Sequence, residues 1–257
     1  MTGATGGIGH AIARAFAARG ASLTLTGRRT EVLDPLATEL GARTIACDLA
    51  DRDALARLIE DAGEVDVLVA NAALPATGHL TELTPGQLDN MLDVNLRAPI
   101  MLARALAPGM VERRRGHLVF ISSLAGKVAS PVSSLYNATK FGLRGFALGI
   151  REDLYGDNVG ASVVMPGFIS DAGLFADSGM KLPFGVGTRT PEQVASAVID
   201  AIEHNRAEIT VAPPFLRLGA AFGSVAPQTA ATVQRLAGGD KIATELASRQ
   251  LGKRPHG

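Results

Sequence analysis

Short runs of apolar and β-branched residues recur along the chain at Ser22–Thr26, Thr44–Cys47, Val65–Ala70, His117–Ser122, Ala161–Met165 and Glu208–Ala212. Most are apolar almost throughout, as strands covered on both faces must be. Segments with helical patterning lie between them, near 8–19, 30–40, 51–62, 85–109, 132–155 and 191–205. Strands alternating with helices in this way predict a parallel sheet with helices on both faces: an α/β, doubly wound (Rossmann) single domain. Two helix starts are marked in their own right. Thr84-Pro-Gly-Gln87 and Thr190-Pro-Glu-Gln193 each place Thr at the cap, Pro at the first helical position and Gln where a reciprocal capping bond forms.

Two stretches leave that rhythm. Phe168–Thr190, rich in Gly, Asp and Phe, follows the last long strand. Ligands of open α/β sheets sit at the carboxyl ends of strands, so this stretch is placed to cover a substrate. Its Phe168, Ile169, Leu174, Phe175, Met180, Leu182 and Phe184 suggest an apolar pocket wall. Residues 213–257 begin apolar, with Phe215, Leu216, Leu218, Phe222 and Val225, and end polar. They read as an extension of the 1–212 domain that packs on it or on a partner subunit.

Composition narrows the function classes. With 257 residues, 47% apolar and 19% charged, the chain suits a sheet buried on both faces. A formal net charge of zero gives no general attraction to nucleic acid or to an anionic membrane. The single Cys47 excludes an internal disulfide, and none of the five His stands at ligand spacing, so no metal site is expected. No leader and no apolar run of spanning length is evident, and a soluble cytoplasmic protein is the expectation.

The chain opens Met1-Thr-Gly3-Ala-Thr-Gly-Gly7-Ile-Gly9 and runs directly into an Ala-rich helix. Glycines in front of a helix let backbone approach a phosphate, and the helix N-terminus supplies N–H groups and a favourable dipole. The strand that normally precedes such a loop is missing, since Met1 is at most its last residue. A first strand of this kind is central, and without it neighbouring edges are left unpaired. A native start upstream of Met1 is the favoured expectation, and a truncated, inactive homologue the alternative.

Tyr136 and Lys140 stand four apart, on one face of a helix and about 6 Å apart along its axis. An ammonium beside a phenol favours the phenolate and lowers its pKa from about 10. Such a phenol gives or takes a proton at a carbonyl or alcohol oxygen.

Together these features resemble a short-chain dehydrogenase/reductase, from Thr2 to about Ala212. Thr2-Gly-x-x-x-Gly-x-Gly9 matches the family's glycine motif, and Asp48-Leu49 the residues lining the adenine pocket. Asn71-Ala-Ala73 stands where Asn-Ala-Gly is usual, and Asn95 matches the active-site Asn. Ser123, then Tyr136-x-x-x-Lys140, then Pro166-Gly167 follow in family order.

The resemblance implies hydride transfer between a nicotinamide and a small carbonyl or secondary alcohol. It makes Tyr136 the acid/base and Ser123 a second donor to the reacting oxygen. Lys140 lowers the Tyr136 pKa and bonds the nicotinamide ribose, and Asn95 holds a water linking Lys140 to solvent. Gly3, Thr5, Gly7, Ile8, Gly9, Arg28, Arg29, Asp48, Leu49, Asn71, Ala72, Tyr136, Lys140, Pro166, Gly167 and Ile169 are the implied cofactor contacts. Arg28 and Arg29 follow the second strand with no acidic residue there, which favours NADP(H) over NAD(H). A homodimer or homotetramer through the helices at 85–109 and 132–155 is implied by the same likeness. A non-catalytic NADP-binding regulator is the rival reading, which the retention of both Tyr136 and Lys140 disfavours.

Overall fold

The computed structural model describes residues 1–75, 78–171, 187–236 and 244. β1 (Thr24–Gly27) and β2 (Arg43–Ala46) pair in parallel as a two-stranded ribbon. β3 (Val67–Ala70), β4 (Gly116–Ile121), β5 (Val159–Pro166) and β6 (Glu208–Val211) form a parallel sheet in that order. Met1–Ala4 lies between β1 and β3. Thr26 N–H donates to the Met1 carbonyl at 2.9 Å, Ala4 N–H to that of Thr26 at 3.1 Å, and Thr2 N–H to that of Val69 at 3.0 Å. Four residues therefore join the ribbon to the larger sheet, at the place where the sequence predicts a central strand.

Each strand was foreseen to within two residues, and the most deeply buried, β4 and β5, leave the short, nearly unbroken apolar signal expected of strands covered on both faces. Along β4, Leu118 and Phe120 enter one core and Val119 and Ile121 the other, the two-residue alternation of a pleated strand. The first core is closed by α3 (Arg52–Ala62), α5 (Ala98–Glu112) and α6 (Ser134–Asp153), through Leu55, Leu58, Leu102, Met110 and Leu143. Phe120 meets Phe146 of α6 edge to face, ring centroids 5.5 Å apart. The second core is closed by α1 (Gly7–Ala17) and α7 (Pro191–Glu203) through Ile12, Val194 and Val198. Each such aliphatic side chain, fully buried, contributes roughly 1.5–3 kcal/mol. α2 (Thr30–Leu40) covers the ribbon with Leu33 and Leu36 and stops at Gly41, whose φ of 61° suits a residue without Cβ.

Both predicted capping boxes form, at Thr84 and at Thr190. The helix expected at 85–109 is broken instead into α4 (Pro85–Leu92), a π-helical turn at Asp93–Arg97, and α5. Pro99 lacks the N–H that would close an α turn on the Asn95 carbonyl, and the widened turn ends beside it. Residues 214–236 form two helices that the apolar composition did not announce, α8 (Pro214–Val225) and α9 (Pro227–Leu236), each begun by Pro. α8 sets Gly223 against Val128 and turns Phe215, Leu218, Phe222 and Val225 outward. Among the described residues, no helix is long and apolar enough to cross a membrane.

Candidate active site

The site lies at the carboxyl ends of β3, β4 and β5. Ser123 leaves β4 in extended conformation and caps a 3-10 turn, Leu124–Gly126, its Oγ accepting from Ala125 N–H at 3.2 Å. The same side chain lies near Tyr136 at the start of α6, close enough to act on its phenol. Lys140, one turn further on, is 1% exposed and donates from Nζ to the Ile121 carbonyl at 3.0 Å, 5.6 Å from the centre of the Tyr136 ring. Ser122 is structural, as its Oγ donates to the Lys140 carbonyl at 2.9 Å. Gly126 makes that approach feasible, for a Cβ there would lie 2.7 Å from the same carbonyl oxygen.

The electrostatics correct one expectation. Burial pushes the Tyr136 phenol up to about 12, against the opposing pull of the nearby Ser123 hydroxyl. Burial also pushes the Lys140 ammonium down to about 8. The predicted lowering of Tyr136 by Lys140 is therefore absent here. The ammonium lies over the ring and is spent on a β4 carbonyl, so removal of the phenol from water dominates.

Asn95 sits fully buried in the π-helical turn. Its Oδ1 accepts from Leu74 N–H at 2.7 Å and its Nδ2 donates to the Leu74 carbonyl at 3.0 Å, as a neighbouring strand would. Among the described residues these are the bonds of its side chain, so one N–H and one lone pair of the amide find no partner there. Asn71 is likewise bound to backbone, donating from Nδ2 to the carbonyls of Thr2 and Gly3 at 3.3 and 3.0 Å.

Sequence reasoning passed over Thr2. Its buried Oγ1 accepts from both Asn71 N–H and Ala72 N–H at 3.1 Å and so fixes the loop after β3 against the glycine loop. A hydroxyl residue immediately before the first glycine was the available signal.

The glycine loop fits a dinucleotide phosphate. Gly3 has φ of 66°, and a Cβ on it would stand 2.7 Å from Ala72 Cα. A Cβ on Gly9 would collide with the Gly3 carbonyl oxygen. Gly6 caps α1 without a side-chain bond, and no acidic residue occupies the first turn, which begins at Gly7 and Ile8. Those N–H groups suit an anion. Beyond the loop, Arg29 Nη2 donates to the Thr5 carbonyl at 2.6 Å, and Arg28 Nη1 stands 3.6 Å from Asp48 Oδ2. Thr5, Arg28, Arg29 and Asp48 are thus brought together.

Ala72, Pro166 and Gly167 border the other end. Gly167 N–H donates to the Val211 carbonyl at 2.9 Å, and a Cβ there would lie 3.0 Å from Leu124 Cδ1. Leu49 and Ile169, also in the implied contact set, lie largely withdrawn from the surface. Both side chains are buried in the two cores, leaving ligand contacts at those positions to backbone. Leu174, Phe175, Met180, Leu182 and Phe184 lie outside the described residues. Among the described residues, no cluster of three or more His, Cys, Asp or Glu stands ready for a metal ion.

The family model described as short chain dehydrogenase matches residues 1–180. The chain belongs to the short-chain dehydrogenase/reductase family. As a member it is an oxidoreductase with the family's Rossmann-type sheet. It is 32% identical over 249 residues to the dehydrogenase/reductase SDR family member 7B of Bos taurus, covering 88% of this chain and 77% of that one. To the ketoacyl reductase HetN of Nostoc it is 32% identical, covering 91% and 87%. Among solved structures, a metagenomic short-chain oxidoreductase in complex with NADP superposes with a TM-score of 0.70 at 34% identity, covering 83% of this chain and 95% of that one. A serine dehydrogenase complexed with NADP+ gives 0.74 at 31%, covering 83% and 93%.

Proposed function

We propose that this short-chain dehydrogenase/reductase is an NADP(H)-dependent enzyme interconverting a carbonyl and a secondary alcohol, with Tyr136 as acid/base. The observation that carries this reading is the cluster at the end of β4, where Tyr136 lies beside Ser123 and Lys140 is buried 5.6 Å from the centre of its ring. The nicotinamide, when bound, supplies or accepts the hydride. Tyr136, with a pKa near 12, holds its proton at neutrality, as a donor to a developing alkoxide must. Ser123 is the second donor to that oxygen, and loss of one such donor typically costs ~3 kcal/mol. Lys140, at about 8, exchanges protons near physiological pH.

The preference for NADP(H) rests on Arg28 and Arg29. No acidic residue ends β1 to receive a ribose hydroxyl, and the exposed Arg28–Asp48 pair is weak enough for a phosphate to replace. The named NADP complexes of two relatives support the choice. The apolar residues between Phe168 and Thr190 favour a small ketone or an acyl-chain substrate, in keeping with the ketoacyl reductase among the relatives. Self-association through α4–α5 and α6 completes the reading.

The test is an NADPH-oxidation screen over ketones, aldehydes and 3-oxoacyl thioesters, alongside nucleotide-dependent thermal shift. A raised melting temperature with NADPH and turnover of at least one carbonyl is expected. Binding without turnover of any carbonyl or alcohol would instead point to a sensor.

A further inference from the structure

Glu208 opens β6, a strand away from β4, yet its carboxylate reaches both elements that carry the proposed acid–base pair. Oε1 pairs with Lys127 Nζ, and Oε2 accepts from Arg144 Nε at 2.5 Å. Lys127 Nζ also donates to Thr210 Oγ1 of the same strand at 3.0 Å. Lys127 closes the turn that Ser123 begins, and Arg144 lies one helical turn beyond Lys140 on α6. The three side chains are mostly withdrawn from solvent, Glu208 being 22% exposed. Burial by itself would raise the Glu208 pKa, but hydrogen bonds from Lys127 and Arg144, with their charges, prevail and hold it below the usual range. Charge-assisted bonds at this depth are stronger and more directional than exposed pairs.

The turn and the helix also meet at Ser122 Oγ and the Lys140 carbonyl. That bond and the one from Lys140 Nζ to the Ile121 carbonyl both hold the helix at Lys140, close to the end of β4. Glu208 ties turn and helix one step further along, at Lys127 and Arg144, from a third element, and so restrains rotation of one against the other. On the reading that Ser123 and Tyr136 are the two donors to the reacting oxygen, we infer that Glu208 is a positioning residue. Its carboxylate sets the separation and angle between the turn bearing Ser123 and the helix bearing Tyr136.

The test compares E208Q, E208D and Y136F on the fastest ketone of the screen. E208Q keeps the shape but turns one charge-assisted acceptor into an amide. Its kcat is expected to fall about ten- to a hundredfold, the usual penalty for a slight misplacement of reacting groups. KM for NADPH and the NADPH-induced thermal shift should stay unchanged. E208D, which keeps the charge on a shorter arm, should recover part of the loss. A lower melting temperature with unchanged kcat per folded molecule would overturn the inference, as would a kcat loss matched by a loss of NADPH affinity. Y136F separates the two levels. Full turnover in Y136F defeats the underlying acid/base reading, whereas an inactive Y136F beside a fully active E208Q defeats the Glu208 role alone. Should E208Q not yield folded protein, Arg144→Met removes one arm of the clamp, and unchanged kcat there overturns the inference equally.

Discussion

The two ends of the cleft are built on opposite principles. At the carboxyl end of β4, Ser122 and Lys140 are fixed by bonds to backbone in the interior, and Lys140 is sealed from solvent beside Tyr136. At the end of β1, Arg28 and Asp48 face each other with about half of each side chain exposed. A buried polar group left without its partner costs the full desolvation penalty, while an exposed pair exchanges its partner for water almost freely. On the proposed reading, chemistry is concentrated where substitution is costly, and cofactor choice where it is cheap: the first end would fix the reaction, the second the nucleotide.

Substitutions at the two ends should differ accordingly. The largest effect is expected from Tyr136→Phe, which should lower kcat by about 10²–10⁴-fold while the NADPH-induced thermal shift persists. Next is Gly9→Ala, whose methyl group would strike the Gly3 carbonyl and should abolish that thermal shift. Gly6→Ala, by contrast, meets nothing nearer than 3.8 Å and should retain nucleotide binding in the same measurement.

Lys140 offers a pH signature of the buried end. Its folded pKa is near 8, below the ordinary 10.5, so between these values the unfolded chain holds more protons than the native one. Stability supplied by this group therefore rises with pH through that window, and the cost of the buried charge is in full force below pH 8. Relative to Lys140→Met, wild-type stability should improve on the order of 2–3 kcal/mol from pH 7.5 to 10.5, measured by urea denaturation. A flat difference would mean that the ammonium is solvated in the native state. The smallest effect belongs to the exposed end. Arg28→Ala should raise KM for NADPH about tenfold, the loss of roughly one charge-assisted contact, with KM for NADH unchanged. Equal losses for both nucleotides would erase the contrast between the ends.

How legible each part was in the sequence follows from the same contrast. Strands and caps were readable because they are local: β5 is apolar but for Ser162, and Thr84 and Thr190 announce their helices within four residues. Tyr136 and Lys140 were readable as a pair because helical spacing places them. Their protonation was not, because it depends on burial by elements remote in sequence and on the Ile121 carbonyl that draws the ammonium away. Thr2 and Glu208 escaped for a related reason. Their partners lie 69 and 64 or more residues away, and no periodicity encodes such contacts. The π-helical turn at Asp93–Arg97 was hidden too, since one residue of extra winding leaves the apolar pattern of α4 and α5 almost unchanged.

Met1–Ala4 acts as a suture between the ribbon and the main sheet, and the glycine loop grows directly out of it. A nucleotide seated on Gly3 and Gly9 would press on the stitching itself, with the two sheet fragments on either flank. Occupancy should thus slow amide exchange at Thr26 and Thr2 more than at residues inside β4 or β5. Coenzyme would then serve this scaffold as mortar as well as reagent.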